Sequence, residues 1–127
     1  MDDNIITISA DGISIDAELG TSATAAKIFE ALPFEGIANT WGQEIYFTIP
    51  VTMQQEPDAR AEVDIGEIAF WPMGKAFCIF FGPTPVSRDE KPRAYSPVNV
   101  FGRLLGDATV LKGIANGARI RVDRKQS

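Results

Sequence analysis

Apolar and polar residues alternate at the start of the chain. In Ile13–Leu19, every second residue up to Ala17 is apolar, which is the period of a β-strand with one polar face. A second β-prone run, Ile5–Ser9, precedes it, and Asp11 and Gly12 lie between the two. Asp-Gly is a strong hairpin signal because both residues tolerate a positive φ. The chain is therefore predicted to begin with a β-hairpin.

A helical period replaces the alternation after the hairpin. Apolar residues recur at i, i+3, i+4 and i+7 and form one stripe, which consists of Ala25, Ile28, Phe29 and Leu32. Thr21 or Ser22 can cap the helix at its start, and Pro33 ends it. We expect this helix to cover a sheet face or an open barrel end, which is a structural role.

Strand patterns fill most of the remaining chain. They are predicted at Glu44–Met53, Ala61–Ile65, Glu67–Trp71, Ala76–Phe81, Val98–Leu105 and Arg119–Asp123. Glu44 and Tyr46 fall on one face of the first of these strands, opposite Ile45. The run Ala76–Phe81 is apolar on both faces, so we expect this strand to be covered on both sides.

Irregular segments and a short helix separate these strands. Gln54–Asp58 is predicted to be a polar loop, and Gly82–Pro97 is the longest irregular stretch, of a kind that is often functional. Asp107 can cap a short second helix, and Arg124–Ser127 is predicted to be a tail. About eight strands and two short helices indicate a mainly β barrel or sandwich, formed by a single domain over residues 1–127.

The composition narrows the chemistry that the chain can perform. The 127 residues contain no histidine, which removes the commonest general base and metal ligand at neutral pH. The one cysteine, Cys78, lies in an apolar run, and we interpret it as a small buried residue and not as a reactive thiol. One cysteine forms neither an intrachain disulfide nor a thiolate cluster, so no metal and no cofactor are expected.

The charge distribution bears on partners and location. The net charge of −5 argues against nucleic-acid binding. The charge is unevenly distributed, because Met1–Glu67 contains two basic and thirteen acidic residues, whereas the remainder contains ten basic and four acidic residues. These opposite charges can meet across strands, or the basic half can form a patch that binds an anion. No apolar run approaches the ~20 residues of a membrane span. The start, Met1–Asn4, is acidic and leads directly into a strand, so a cytoplasmic protein without a secretory signal is expected.

Several motifs resemble a known family. Gly74–Phe81, a loop and Val98–Gly106 resemble the central strand, loop and following strand of cyclophilins, including Phe101-Gly102 before a basic residue. The whole chain more closely resembles the uncharacterised prokaryotic family of stand-alone cyclophilin-like proteins, through the motifs Asn39–Phe47, Phe77–Pro85 and Ser96–Val100. The resemblance implies a closed cyclophilin-like β-barrel of about eight strands, with one covering helix and one short helix.

The same resemblance implies that the groups of a prolyl isomerase are missing. By this comparison Phe47 occupies the position of the essential arginine, and Ala76 occupies that of the glutamine. Cys78 occupies the position of the phenylalanine at the base of the proline pocket, and Val98 occupies that of the histidine. An isomerase must lower a barrier of ~18–20 kcal/mol by bonding a cationic donor to the proline nitrogen. A phenyl ring donates no such bond, so no catalytic residue is assigned and the chain is interpreted as a non-enzyme.

An aromatic and amide-lined cleft remains as the candidate site. Its candidate ligand-binding residues are Asn39, Trp41, Tyr46, Phe47, Phe77, Arg93 and Asn99. Trp and Tyr pair a broad apolar body with a polar tip, Asn supplies directional hydrogen bonds, and Arg supplies a cation if the long loop folds over the cleft. The alternatives are structural: core packing for the aromatic residues, a turn or cap for Asn39, and a satisfied buried amide for Asn99.

Three functions are consistent with the sequence. The first is a non-catalytic module that binds a small molecule or short peptide between the Trp41 loop and the Gly82–Pro97 loop. The second is a divergent, weak peptidyl-prolyl isomerase. The third is a homo-oligomer or a partner-binding protein, suggested by the charge asymmetry and the apolar central strand. Neither nucleic acid nor a membrane is an expected partner.

Overall fold

A single antiparallel sheet of ten strands forms most of the molecule, for which the computed structural model describes residues 4–125. In chain order the elements are β1 (Ile5–Ala10), β2 (Ile13–Leu19), α1 (Ala23–Ala31), β3 (Phe34–Ile37), β4 (Asn39–Thr40), β5 (Glu44–Thr48), β6 (Arg60–Glu62), β7 (Glu67–Trp71), a 3₁₀ helix (Pro72–Gly74), β8 (Ala76–Phe80), β9 (Arg93–Leu105), a second 3₁₀ helix (Ala108–Gly113) and β10 (Arg119–Arg124). The mainly β class is confirmed. No helix within the described residues is long and apolar enough to cross a membrane.

The first hairpin and the helix form where the sequence predicts them. Asp11 and Gly12 have φ values of 52° and 75°, and β1 pairs with β2 in the register that this two-residue turn sets. The Ser22 hydroxyl accepts a hydrogen bond from the backbone N–H of Ala25 at 3.1 Å and caps α1. Ile28, in the middle of the apolar stripe, is fully buried against the sheet.

The strand ladder does not close into a hydrogen-bonded ring. The path runs β3-β10-β1-β2-β9-β7-β8-β5-β4, and β6 pairs with β9 beside it. The closed barrel predicted from the resemblance is therefore not confirmed. Both ends of the path, however, belong to one stretch of chain, Phe34–Thr40, whose first half pairs with β10 and whose last two residues pair with β5. These two short strands raise the number of strands above the predicted eight.

Several predicted boundaries are wrong, each for a local reason. The strand at Glu44 ends at Thr48, and Pro50 has no backbone N–H with which to continue the ladder. Strand β9 begins at Arg93, so the irregular stretch is shorter than Gly82–Pro97. Pro97 is tolerated in β9 because it lies where the register with β6 shifts.

The predicted tail is also partly strand. Arg124 ends β10, and its guanidinium donates hydrogen bonds to the carbonyl oxygens of Phe29 (2.8 Å) and Leu32 (3.1 Å). It also lies 5.0 Å from the centre of the Phe29 ring. Arg124 thereby satisfies carbonyls at the end of α1 and fixes the helix on the sheet. The last two residues of the predicted tail, and the first three of the acidic start, lie outside the described residues.

The sheet has an apolar cluster on each of its faces. The larger cluster lies between the sheet and α1, and includes Phe47 and Phe77. The smaller cluster, on the other face, consists of Val63, Ala69, Ala76, Cys78, Phe80, Ala94 and Val98. Strand β8 contributes alternate residues to both clusters, which confirms the prediction that it is covered on both sides. A pocket opens above the smaller cluster.

Candidate functional site

The pocket has a volume of about 270 Å³ and a mostly apolar wall. It is lined by Trp41, Glu44, Tyr46, Trp71, Cys78, Ala94, Tyr95 and Val98. These residues come from β5, β7, β8, β9 and the turn before β5. The pocket therefore depends on strand pairings between distant parts of the chain.

Strand alternation places the floor of the pocket. Glu44 and Tyr46 lie two residues apart on β5, so both face the smaller cluster, while Ile45 between them faces the larger one. Tyr46 pairs directly with Cys78 on β8, which brings the thiol to the same face. The sequence predicted that Glu44 and Tyr46 share a face, and this is confirmed.

Aromatic rings form the walls. The Tyr95 ring stands edge-on to two indoles, with its centre 6.4 Å from that of Trp41 and 6.0 Å from that of Trp71. Tyr95 is 74% exposed as a residue, so it forms the rim of the pocket. The Trp71 indole N–H donates a 2.7 Å hydrogen bond to the Ser96 hydroxyl, which fixes that wall.

A tight turn positions Trp41. The Trp41 and Glu44 backbones exchange hydrogen bonds of 2.9 and 3.2 Å across the turn, where Gly42 has a φ of 61°. The turn is fixed to the following loop, because the Gln43 N–H donates to the Pro83 carbonyl at 2.8 Å. A Cβ on Gly42 would lie 2.8 Å from the Thr84 Cα, so this approach requires glycine. The Trp41 turn and the start of the long loop thus pack directly against each other.

Glu44 is the principal electrostatic feature of the pocket. It is only 5% exposed, and its Oε1 atom has no hydrogen-bond partner among the described residues. Burial raises the pKa of Glu44 from 4.5 to about 7, and a hydrogen bond with Cys78 opposes the shift only in part. None of the lining residues is Lys or Arg. The carboxyl thus lacks the charged partner that a buried acid ordinarily has.

Cys78 does not offer a nucleophile to the pocket. Burial, with the neighbouring Glu44 charge, raises the pKa of the Cys78 thiol well above its ordinary value. The thiol therefore stays protonated near neutral pH, and its Sγ atom lies 3.8 Å from the Ala76 carbonyl oxygen. Within residues 4–125, no group of three or more potential ligands among His, Cys, Asp and Glu is arranged to hold a metal ion.

The residues predicted to form the site are placed in different environments. Trp41 and Tyr46 line the pocket together. Phe47 and Phe77 do not, because both are fully buried in the larger cluster, where their rings stack with centres 5.1 Å apart. Arg93 is not among the lining residues, although Ala94 beside it is.

The two predicted asparagines have structural contacts. Asn39 is exposed, and its amide donates 3.3 Å hydrogen bonds to the carbonyls of Ile37 and Tyr46, which bridge the edge of the sheet. Asn99 is 1% exposed and donates to the Gln54 carbonyl at 2.9 Å, while it accepts a 2.8 Å hydrogen bond from the Glu56 N–H. Asn99 thus holds the polar loop after β5 on the sheet. Its side chain is a buried amide with satisfied hydrogen bonds, which is the structural alternative to ligand binding that the sequence left open.

Sequence reasoning missed most of the pocket lining. The residues it did not propose are Glu44, Trp71, Cys78, Ala94, Tyr95 and Val98. For Glu44 a signal was present, since it shares a strand face with Tyr46. For Tyr95 there was none, because the sequence indicated a loop there and not a strand.

The four residues that occupy the positions of the isomerase groups lie on different faces of the sheet. Cys78 and Val98 line the pocket, and Ala76 belongs to the cluster beneath it. Phe47 lies on the opposite face of the sheet, so it cannot occupy the place of a residue that contacts substrate in this pocket. On β5, Glu44 and Tyr46 face the pocket instead.

Comparisons with known proteins agree with the fold. A family model described as Cyclophilin-like matches residues 4–123. Among solved structures, the chain is similar to the solution structure of the hypothetical protein AF2241 from Archaeoglobus fulgidus, with 39% sequence identity and a TM-score of 0.80. This similarity covers 95% of the present chain and 94% of that chain. A comparison with curated proteins gives no match.

Proposed function

Because the chain belongs to the cyclophilin-like family, we propose that it uses the pocket above its smaller cluster to bind a small organic molecule, without isomerase activity. The observation that carries this proposal is the buried Glu44 carboxyl in the lining of an open, aromatic-walled pocket, where its Oε1 atom has no hydrogen-bond partner among the described residues. An unpaired buried polar group is costly, and such groups in native proteins are concentrated at functional sites. A ligand that contacts Glu44 offsets this cost.

The size of the pocket limits what it can hold. Its volume of about 270 Å³ lies below the ~300–1,000 Å³ of sites for drug-sized ligands. A compact molecule, or one side chain of a peptide, therefore fits better than an extended peptide. The apolar walls contribute by burial of ligand surface, and the single carboxyl sets the orientation of the ligand.

The lining argues against prolyl isomerisation. That reaction requires a cationic donor beside the imide nitrogen, and the lining residues include neither Lys nor Arg. We expect no acceleration of peptide isomerisation in a protease-coupled assay at micromolar protein. A rate enhancement that is lost when Tyr46 is replaced would instead support the divergent isomerase.

A fragment screen by NMR tests the binding proposal. The protein has two tryptophans, both in the pocket wall, so their indole N–H signals report on occupancy directly. We expect hits to shift both indole signals. In Ala94→Leu, which places a larger side chain in the pocket, we expect the same hits to lose at least tenfold in affinity.

Met73→Ala is the matched control for the filled pocket. Met73 is 80% exposed and is not a lining residue, so its truncation changes an exposed apolar side chain but not the site. Hits that bind this variant and the unaltered protein equally, and Ala94→Leu weakly, support the proposal. No hit in the screen, or equal affinity for all three proteins, contradicts it.

A further inference from the structure

The four aromatic rings of the pocket favour a positively charged ligand. Half of the eight lining residues are aromatic, and the Tyr95 ring stands at 69° and 72° to the planes of Trp41 and Trp71. The rings therefore bound the pocket with planes at different orientations. The face of an aromatic ring is electronegative and attracts a cation within about 6 Å of its centre, most strongly when the cation is desolvated.

The Glu44 carboxyl favours the same charge. Glu44 is a lining residue that is only 5% exposed, and its Oε1 atom has no donor among the described residues. The other titratable groups that line the pocket are Cys78 on β8, Tyr46 on β5 and Tyr95 on β9, none of which is cationic. A positively charged ligand supplies the missing counter-ion, and a carboxylate that is desolvated but paired is much less costly than one that is alone.

The scarcity of acceptors favours an alkylated cation. A primary ammonium has three N–H donors, and each requires an acceptor when it is buried. The pocket wall is mostly apolar, and Glu44 is its one carboxyl. Alkyl groups on the nitrogen replace donors with surface that packs against the rings, so fewer hydrogen bonds are left unmade.

Resting on the proposed binding function, we propose that the pocket binds the alkylated ammonium group of a small organic cation, which pairs with the Glu44 carboxylate inside the aromatic walls. The Glu44 carboxylate and the aromatic rings have separate roles in this binding. The carboxylate selects for charge, and the rings select for alkyl groups over hydrated inorganic or primary ammonium ions.

Three probes that share a two-carbon alcohol chain test the inference. Choline carries a quaternary ammonium, 3,3-dimethylbutan-1-ol is its neutral isostere with carbon in place of nitrogen, and ethanolamine carries a primary ammonium. Affinities are measured by NMR titration of the two indole N–H signals at pH 8. We expect choline to bind at least tenfold more tightly than either of the other probes.

The variant Glu44→Gln separates charge from shape. It keeps the volume of the side chain and removes the charge, so choline is expected to lose at least tenfold in affinity while the neutral isostere is unaffected. Glu90→Gln is the control, because it makes the same change in net charge at an exposed loop position. Equal loss of choline binding in both variants would indicate a general electrostatic effect and overturn the inference.

The pH dependence supplies a further readout, because choline does not titrate. With the pKa of Glu44 at about 7, its ionised fraction rises roughly thirtyfold between pH 5.5 and pH 8, and choline affinity is expected to rise with it. If the neutral isostere binds as well as choline, or choline does not bind, the cation inference is wrong. In either case, pocket binding by other fragments keeps the proposed function intact, whereas a screen without any hit removes both.

Discussion

Replacement of Glu44 by Gln tests the central electrostatic claim without any ligand. The folded state holds the Glu44 proton up to a pH of about 7, whereas the unfolded chain releases it near the ordinary pKa of 4.5. The stability that the protonated carboxyl contributes is therefore fully present below about pH 4.5, and is lost as the pH rises through about 7.

The magnitude follows from this difference in pKa. One pKa unit corresponds to 1.36 kcal/mol, so the shift from 4.5 to about 7 makes the wild type lose about 3 kcal/mol of unfolding free energy from this group. Glu44→Gln is neutral at every pH and lacks this loss. We expect the variant and the wild type to be similar near pH 4.5, and the variant to be more stable by up to about 3 kcal/mol near pH 8.

Urea unfolding, followed by tryptophan fluorescence at several pH values, measures the difference. Typical domains have unfolding free energies of ~5–15 kcal/mol, so a change of this size is well within range. Glu90→Gln again controls for the removal of one negative charge. Parallel stability curves for the wild type and Glu44→Gln between about pH 5 and 8 would refute the reasoning, because they would mean that the carboxylate is solvated in the folded state.

Three further predictions concern the residues that support the site and the fold, each measured by urea unfolding. Asn99→Ala removes a buried amide and leaves the Glu56 N–H and the Gln54 carbonyl without this side-chain partner, so it is expected to cost about 2–4 kcal/mol. Asn39→Ala, at an exposed amide, is expected to cost less than about 0.5 kcal/mol, and equal costs would contradict the structural role of Asn99. Gly42→Ala meets both a positive φ and the Thr84 backbone, whereas Gly12→Ala meets a positive φ alone, since nothing lies within 4 Å of its Cβ. Gly42→Ala is expected to be more destabilising than Gly12→Ala by at least about 1 kcal/mol. It is also expected to shift the NMR signal of the Trp41 indole N–H. An unshifted signal would show that the turn tolerates a side chain. Ser22→Ala is expected to cost about 1 kcal/mol through loss of the α1 cap, and Thr21→Ala almost nothing; the reverse order would place the cap one residue earlier.

Local chemistry explains which elements the sequence could predict. The hairpin at Asp11-Gly12 and the helix start at Ser22 depend on backbone conformations and hydrogen bonds between residues close in the chain. Strand alternation likewise assigned Tyr46 and Phe47 to opposite faces of β5. Elements without such a signal were missed, as with β3 and β4, which have four and two residues and are held by pairing with β10 and β5.

The candidate site could be predicted only in part for the same reason. Trp41 and Tyr46 were identified because large amphipathic side chains in one motif suit a binding surface. Tyr95 and Trp71 meet in the wall only because β9 pairs with β7, between segments far apart in sequence. Phe47 and Phe77 have equally suitable side chains, but lie on the covered face.

The mainly β class, the hairpin, the capped helix and the residues that share each strand face could all be predicted from the amino-acid pattern, because these follow from local conformation and from the two-residue period of a strand. Which of those faces is covered, and which forms an open pocket, depends on how distant segments pack. Glu44 shows the difference. Its position on β5 can be predicted from the sequence. Its burial, with Oε1 left without a hydrogen-bond partner among the described residues, arises from strands β7, β8 and β9, whose residues line the same pocket only after long-range pairing. Periodicity specifies the direction of a side chain, and the neighbours that it meets in that direction depend on the rest of the fold.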